Sequence, residues 1–362
     1  MKVLITGGAG YLGLNIIDYL DPIAHGRNLD TKIIVLDPQD PPSNYFKQWS
    51  FNCDFLRCCI DVEFVKGDVC DLDEVKRLAD QVDSILHLAF VVGGPSCKKN
   101  PNDATRLALR GTENVVKASQ GKMIVFSSSD AVYGNEANGI IDENTPCNPA
   151  SLYGQLKLQC EEIVKSSSKY CIFRMPSNFG VSSALGRWDM LVHYLFKQMY
   201  KYCKIDIADP LVTRTLIDVR DTGRAFRFVL NNQENSSGKI FNIASGAWTK
   251  QEIADTIRKI IGGEVGLDKT FTDSETRNFI LDCSAIQKIG WTSEFSLKDG
   301  VNWINDYIET YESSNDSSTY TIGSKDYLYV PHKGNRSYPW HTINSFHCLS
   351  QDHACAKSVI KL

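Results

Sequence analysis

Short apolar runs alternate with amphipathic stretches through the first half of the chain. Val3–Ile5, Ile33–Leu36, Val62–Val65, Ser84–Ala89, Met123–Phe126 and Ile172–Arg174 read as strands. Val3, Leu4 and Ile5 are apolar at consecutive positions, as a strand covered on both faces requires. Between the runs lie helix-period patterns. Leu12, Ile16, Ile17 and Leu20 share one face, as do Leu72, Val75, Leu78, Ala79 and Val82 behind the helix-opening Asp71 and Glu74. A third helix runs from about 102 to 119. Strand and helix in alternation predict an α/β fold, a doubly wound parallel sheet with its ligand crevice at the carboxyl edge. Beyond Arg174 the rhythm loosens. Helical patterns at Arg187–Tyr202, Asp221–Leu230, Lys250–Ile260 and Leu297–Thr310 are separated by long irregular stretches, which predicts a smaller, mixed α/β domain over the crevice. The expected organisation is residues 1–175 for the sheet domain, 176–312 for a second domain partly interleaved with it, and 313–362 for a Ser/Asn/Asp linker and irregular tail.

The first strand runs into Gly7, Gly10 and Gly13, and a helix starts where they end. That order aims backbone N–H groups and a helix dipole at one spot, which suits a pyrophosphate. Asp37 ends the second apolar run, where a carboxylate accepts hydrogen bonds from adenine-ribose hydroxyls and repels a 2′-phosphate. Pro38, Gln39 and Asp40 follow, with no basic residue among them. The expected cofactor is therefore NAD rather than NADP. Downstream, Ser127–Ser129 closes a strand at the crevice, and Tyr153 and Lys157 share one face of a helix. A tyrosine ionising near ~10 is a poor base at neutral pH. A neighbouring ammonium and a nicotinamide cation both favour the phenolate. Ser129, Tyr153 and Lys157 thus suit proton removal from a carbinol while a hydride leaves its carbon.

The 362 residues carry a formal net charge of −4 and are 43% hydrophobic. Mild acidity offers no general attraction to nucleic acid or anionic membrane. Nothing at the N-terminus resembles a signal peptide, and no apolar run approaches ~20 residues. Twelve cysteines include no Cys-x-x-Cys pair and read as reduced, packed thiols of a cytoplasmic protein. The tail brings His347-Cys348 and His353-x-Cys355 close together, a spacing that matches no zinc pattern. No metal is expected.

Thr6–Gly13, Gly67-Asp68-Val69, His87-Leu88-Ala89, Ser127–Gly134 and Tyr153-Gly-Gln-Leu-Lys157 together resemble the extended short-chain dehydrogenase/reductase superfamily, in its NAD-dependent nucleotide-sugar epimerase/dehydratase branch. The similarity runs from Met1 to about Tyr307. The resemblance implies a Rossmann-type fold, a nucleotide-diphosphate sugar substrate and a homodimer. It puts Gly7, Gly10, Tyr11, Leu12, Gly13, Asp37, Asp68, Val69, Leu88, Ala89, Tyr153 and Lys157 around the cofactor. It puts Ser129, Asn178, Arg187, Arg214 and Arg277 around the substrate, with the last two clamping the diphosphate or nucleotide. Val91–Cys97 and Arg187–Val192 look like sugar-lining loops of an epimerase-like subgroup, which brings Cys97 near the reacting carbon unless it is a packed thiol. Three departures stand out. Ala131 replaces the Glu that dehydratases carry after the Asp, Asp218 replaces a usual His, and Ala108 a frequent Asn. The reading is an NAD-dependent epimerase working through transient oxidation of a ring hydroxyl. Its rivals are a 4-keto-sugar reductase, a dehydratase, and a non-catalytic NAD-binding scaffold.

Overall fold

The computed structural model describes residues 1–20, 31–40, 60–181, 187–268 and 277–313. The first half runs β1 (Lys2–Thr6), α1 (Tyr11–Leu20), β2 (Thr31–Asp37), β3 (Ile60–Lys66), α2 (Leu72–Ala79), β4 (Ser84–His87), α3 (Gly94–Lys99), α4 (Pro101–Ser119), β5 (Met123–Ser129), β6 (Asn138–Ile141), α5 (Leu152–Lys165) and β7 (Tyr170–Met175). The second half runs β8 (Ser177–Phe179), α6 (Leu191–Tyr202), β9 (Lys204–Ile207), β10 (Thr213–Asp218), α7 (Val219–Asn231), α8 (Gln233–Ser236), β11 (Lys239–Asn242), β12 (Gly246–Thr249), α9 (Lys250–Ile261), β13 (Glu264–Leu267), β14 (Asn278–Leu281), α10 (Ser284–Lys288) and α11 (Leu297–Ser313).

Seven of these strands form one parallel sheet in the order β11-β7-β5-β4-β1-β2-β3, the α/β architecture that the strand–helix alternation predicts. Both faces are covered. Val3, Ile5, Ile33 and Val35 pack towards α1 and α7, while Leu4, Ile34 and Leu36 join α2, α4 and α5 on the other side. The two-residue period of a strand thus supplies both cores at once, and hydrophobic residues at consecutive positions are its signature. Asp71 caps α2 by accepting from the Asp73 and Glu74 N–H groups, as its place in the sequence requires.

The second half contains more strand than its pattern announces. β10 lies between β12 (antiparallel) and β8 (parallel), β13 pairs with β9, and β14 pairs with β6 from the first half. Strands this short show no clear period in the sequence. Their apolar residues, with those of α6, α9 and α11, form a third core around Phe179, Phe196, Ile253 and Val301. The helix predicted over Arg187–Tyr202 starts at Leu191. The four residues before it form a turn closed by the Met190 N–H on the Arg187 carbonyl. β11 belongs to the large sheet although it follows the first six of that sheet's strands only after an excursion through the smaller sheets.

Candidate active site

Strand order changes direction at β1, which has β2 on one side and β4 on the other. Parallel sheets leave a crevice at such a point, and the residues around it come from the ends of β1, β2, β4 and β5.

Gly7 turns the chain at the end of β1 with φ +72°, and a Cβ there would lie 2.6 Å from the Ala89 backbone. A Cβ at Gly13 would lie 2.4 Å from the Gly8 Cα. Gly10 is different: a Cβ would meet only the Gly7 carbonyl, at 3.7 Å. Its bare face therefore leaves room beside the start of α1. Leu14 makes the first bond of that helix, to the Gly10 carbonyl, so helix geometry leaves the N–H groups of Tyr11, Leu12 and Gly13 without intrahelical acceptors. Glycine turn, open space and orphan donors fit a pyrophosphate. Asp37 accepts from the Ala9 N–H (3.1 Å) and the Gln39 N–H (3.0 Å). Burial raises its carboxyl above the usual range, and those two bonds oppose the rise.

Asp68 accepts from the Cys70 N–H (2.9 Å) and pairs with Arg106 (3.2 Å). Burial works against its charge, but these bonds hold its carboxyl below the usual range. Val69 is buried against Gly111, and Asn114 donates to its carbonyl. Leu88 and Ala89 follow β4, where the Leu88 N–H continues the ladder to the Thr6 carbonyl. Beside them His87 is wholly buried between Thr6 Oγ1 (2.8 Å) and Thr112 Oγ1 (3.0 Å). Thr112 donates to the Ala108 carbonyl (2.6 Å), so it accepts from His87 Nε2–H and leaves Nδ1 to accept from Thr6. Burial, with Lys157 nearby, pushes His87 down to about 3. It is a neutral clamp between β1 and α4. The Ala108 carbonyl also accepts from the Cys160 thiol (3.4 Å).

Ser151 caps α5 through the Gly154 N–H, and the four-residue spacing turns Tyr153 and Lys157 towards the end of β5. Lys157 is buried, with Nζ donating to the Ser127 carbonyl (2.5 Å) and lying 3.8 Å from the Phe90 ring centre. Burial pulls it down to about 8. Tyr153 packs edge-on against Phe90. Burial pushes its phenol up to about 12, opposed by a hydrogen bond with Ser129. Lys157 Nζ lies 5.8 Å from the Tyr153 ring centre, and the cation that most favours the phenolate is Arg187. Ser129 also accepts from the Ala131 N–H (3.2 Å) and donates to Asp130 (3.3 Å).

The substrate-side residues are engaged with protein partners. Arg187 pairs with Asp189, and its charge acts on both Tyr11 and Tyr153. Arg277 pairs with Asp130 at 2.5 Å, next to Ser129, and Arg214 donates to the Arg277 carbonyl. These two arginines therefore form one group. Asn178 accepts from Thr222 (2.6 Å) and ties β8 to α7. Asp218, at the N-cap of α7, holds Arg220 with both oxygens. Cys97 is fully buried and donates to the Val91 carbonyl (3.1 Å), a packed thiol. Among the described residues the seven cysteines are thiols and form no disulfide. No group of three metal-ligating side chains occurs among those residues, and the His/Cys pairs of the tail lie outside them. No described helix is long and apolar enough to cross a membrane.

Sequence reasoning passed over Asp130, Asp189 and Glu161. Glu161 stands one helical turn beyond Lys157 on the same face, a signal that the spacing already contains.

The profile of the NAD dependent epimerase/dehydratase family matches residues 3–244. A putative UDP-glucose 4-epimerase of Methanocaldococcus jannaschii is 29% identical over 321 residues, covering 83% of this chain and 98% of that protein. Among solved structures, UDP-glucuronic acid 4-epimerase from Bacillus cereus, in complex with UDP-glucuronic acid and NAD, superposes with TM-score 0.72. It is 22% identical, and the match covers 86% of this chain and 100% of that one. The dTDP-glucose 4,6-dehydratase DesIV from Streptomyces venezuelae, with NAD bound, gives TM-score 0.71 at 22% identity, covering 86% and 99%. The fold is thus shared with epimerases and dehydratases alike.

Proposed function

Because the chain belongs to the NAD dependent epimerase/dehydratase family, an NAD-dependent enzyme family, we propose that it is an epimerase of nucleotide-diphosphate sugars. The observation that carries the choice is the set of acid–base groups beside Ser129. Tyr153, bonded to Ser129, is placed to exchange one proton with a substrate hydroxyl, whereas the neighbouring Asp130 is tied to Arg277, and by the family resemblance Ala131 stands where a dehydratase has its Glu. Elimination of water from a sugar needs a second acid–base group for the ring proton and the leaving hydroxyl. Among the described residues beside Ser129 no such carboxylate is free.

In this reading bound NAD would supply a reversible hydride acceptor for the sugar. The chain supplies the rest. Ser129 orients the reacting hydroxyl and Tyr153 removes its proton. Burial raises the phenol to about 12 even against the Ser129 hydrogen bond and the Arg187 charge, so the anionic form needs a further cation, which the nicotinamide ring of the bound cofactor would supply. Tyr153 hands the proton back once the keto-sugar has turned its other face. Lys157 holds the nicotinamide ribose. The orphan N–H groups of α1 take the pyrophosphate, Asp37 the adenine ribose, and Asp68 with Val69 the adenine. Arg214 and Arg277 take the nucleotide diphosphate, Asn178 the substrate near it, and Arg187 the sugar. The described cysteines, all thiols, favour a cytoplasmic setting, and a homodimer follows from the family resemblance.

The test incubates purified, NAD-loaded protein with UDP-, dTDP-, CDP- and GDP-sugars and follows anomeric and ring protons by NMR. Epimerisation yields a second sugar at equilibrium, its carbon-bound hydrogen retained and no external NAD(P)H consumed. A 4-keto-6-deoxy product would establish dehydration instead. Dependence on added NAD(P)H would establish reduction, and inertness across the panel would favour a scaffold.

A further inference from the structure

On α5, Tyr153, Lys157 and Glu161 follow at four-residue spacing and share one helix face. Each meets a different serine at the end of β5. Lys157 donates to the Ser127 carbonyl (2.5 Å), Ser128 Oγ donates to Glu161 Oε1 (2.5 Å), and Ser129 bonds the Tyr153 phenol. The first and third contacts belong to the proposed chemistry. The second does not, and Glu161 is completely buried.

A carboxylate in that position needs compensation. Arg174 provides it, with Nε 3.1 Å from Oε1 and Nη2 2.8 Å from Oε2. The β5–β7 register sets Arg174 beside Ser128, so two strands hold the carboxylate. Arg174 also donates to the Glu143 carbonyl (3.1 Å) and lies over the Tyr133 ring. A core ion pair alone would account for this much.

Lys157 adds a second observation. The faces of Phe90 and Phe126 lie 3.8 and 4.9 Å from its Nζ. His87 on β4 is neutral, Tyr153 is a neutral phenol, and Cys97 on α3 is an un-ionised thiol at physiological pH, its ionisation pushed up to about 11 by burial. Burial likewise raises Cys160 on α5. Of the groups that oppose the burial of the ammonium, namely Cys160, Cys97 and Glu161, Glu161 is the one carboxylate, one helical turn away on the same face of α5.

We propose that Glu161 is a positioning residue of the active site: through Ser128 it fixes α5 against β5, and its carboxylate is the counter-charge of the buried Lys157 ammonium. The functional part of this inference rests on the assignment of Lys157 given above, but its test does not require the sugar to be known. Lysine labelled with 13C at Cε is incorporated into the full chain, and Lys157 is titrated by NMR, its signal identified with Lys157→Arg. The wild-type midpoint is expected at about 8. In Glu161→Gln it falls by about 1 unit, the lower end of the effect of a nearby opposite charge. Glu161→Asp, which keeps the charge, holds the midpoint closer to wild type. Should Glu161→Gln not fold with Arg174 uncompensated, the pair Glu161→Gln/Arg174→Gln removes that ion pair together, leaves Lys157 without its counter-charge and is expected to lower the midpoint likewise. An unmoved midpoint in the neutral variants overturns the proposal, as does an equal fall in Glu161→Asp. Once a substrate is in hand, the alkaline limb of turnover should follow the NMR midpoint. A limb that stays put while the midpoint falls leaves the Glu161 inference standing and removes Lys157 from the reaction.

Discussion

Asp37 sets both the choice of cofactor and the shape of the turn that holds it. Its two oxygens accept from two backbone N–H groups, Ala9 in the glycine turn and Gln39 beyond β2. Asp37→Asn keeps the volume but leaves one acceptor oxygen. The new NH₂ must face one of those N–H groups, so one donor loses its partner at a cost of ~1–3 kcal/mol. When the turn must be ordered to receive NAD, that cost appears as an NAD affinity ~5–150-fold weaker. The 2′-phosphate of NADP, no longer facing a carboxylate, should bind as well as before or better, so the NAD/NADP ratio contracts from both sides. pH gives an independent check. Burial raises the Asp37 carboxyl, so on acidification the charge is lost earlier than from a free aspartate. NAD affinity is therefore full above the raised pKa and declines as pH falls through it, while Asp37→Asn shows no such decline. Calorimetric titration of cofactor-stripped protein with both dinucleotides across the acid range measures all of this. Wild-type protein that binds NADP as tightly as NAD, or an Asp37→Asn protein with unchanged NAD affinity, would refute the reasoning.

Tyr153→Phe removes one oxygen and should leave NAD bound and the fold intact while turnover drops at least ~10²-fold, the lower range for general acid–base catalysis; a folded, NAD-loaded variant with full activity sinks the assignment. Gly13→Ala forces a Cβ to within 2.4 Å of Gly8 Cα, so NAD binding should fail and the melting temperature drop by the several degrees that ~1–3 kcal/mol of overpacking implies. Ending the chain after Ser313 keeps Val301, Ile304 and Ile308 of α11 in the third core, so melting temperature and NAD affinity should match the full chain. Loss of either in the shortened protein places part of the fold or site in the tail.

What the sequence disclosed divides along physical lines. The strands around the cofactor crevice are buried on both faces, and their unbroken apolar runs announced them. β6, β8, β12 and β14 are short and partly exposed, with Ile140 and Ile280 facing solvent from paired positions, and no period betrayed them. In the site, residues with a fixed spacing to their partner were legible: Gly7 with Gly10, and Tyr153 with Lys157. The pairing of Arg277 with Asp130 joins positions far apart in the chain and is created only by folding. The expectation for Tyr153 also shifted. Its cationic help comes first from Arg187, which a distant loop delivers, rather than from the lysine one turn away. The Glu161–Arg174 pair belongs to both kinds, since Glu161 follows Lys157 at helix spacing but Arg174 arrives through the β5–β7 register.

The late arrival of β11 bears on how the protein is made. β7 is an edge of the large sheet until Lys239–Asn242 docks against Cys171–Arg174, and the Phe173 ring waits for Phe226 of α7 to cover it. At ~5–20 residues per second a ribosome needs several seconds to deliver both. During that interval the nascent chain offers a bare, apolar strand edge, a surface that invites pairing with other chains. Chaperone occupancy on translating ribosomes should therefore peak between the emergence of β7 and that of β11, and nascent fragments that stop within this window should aggregate.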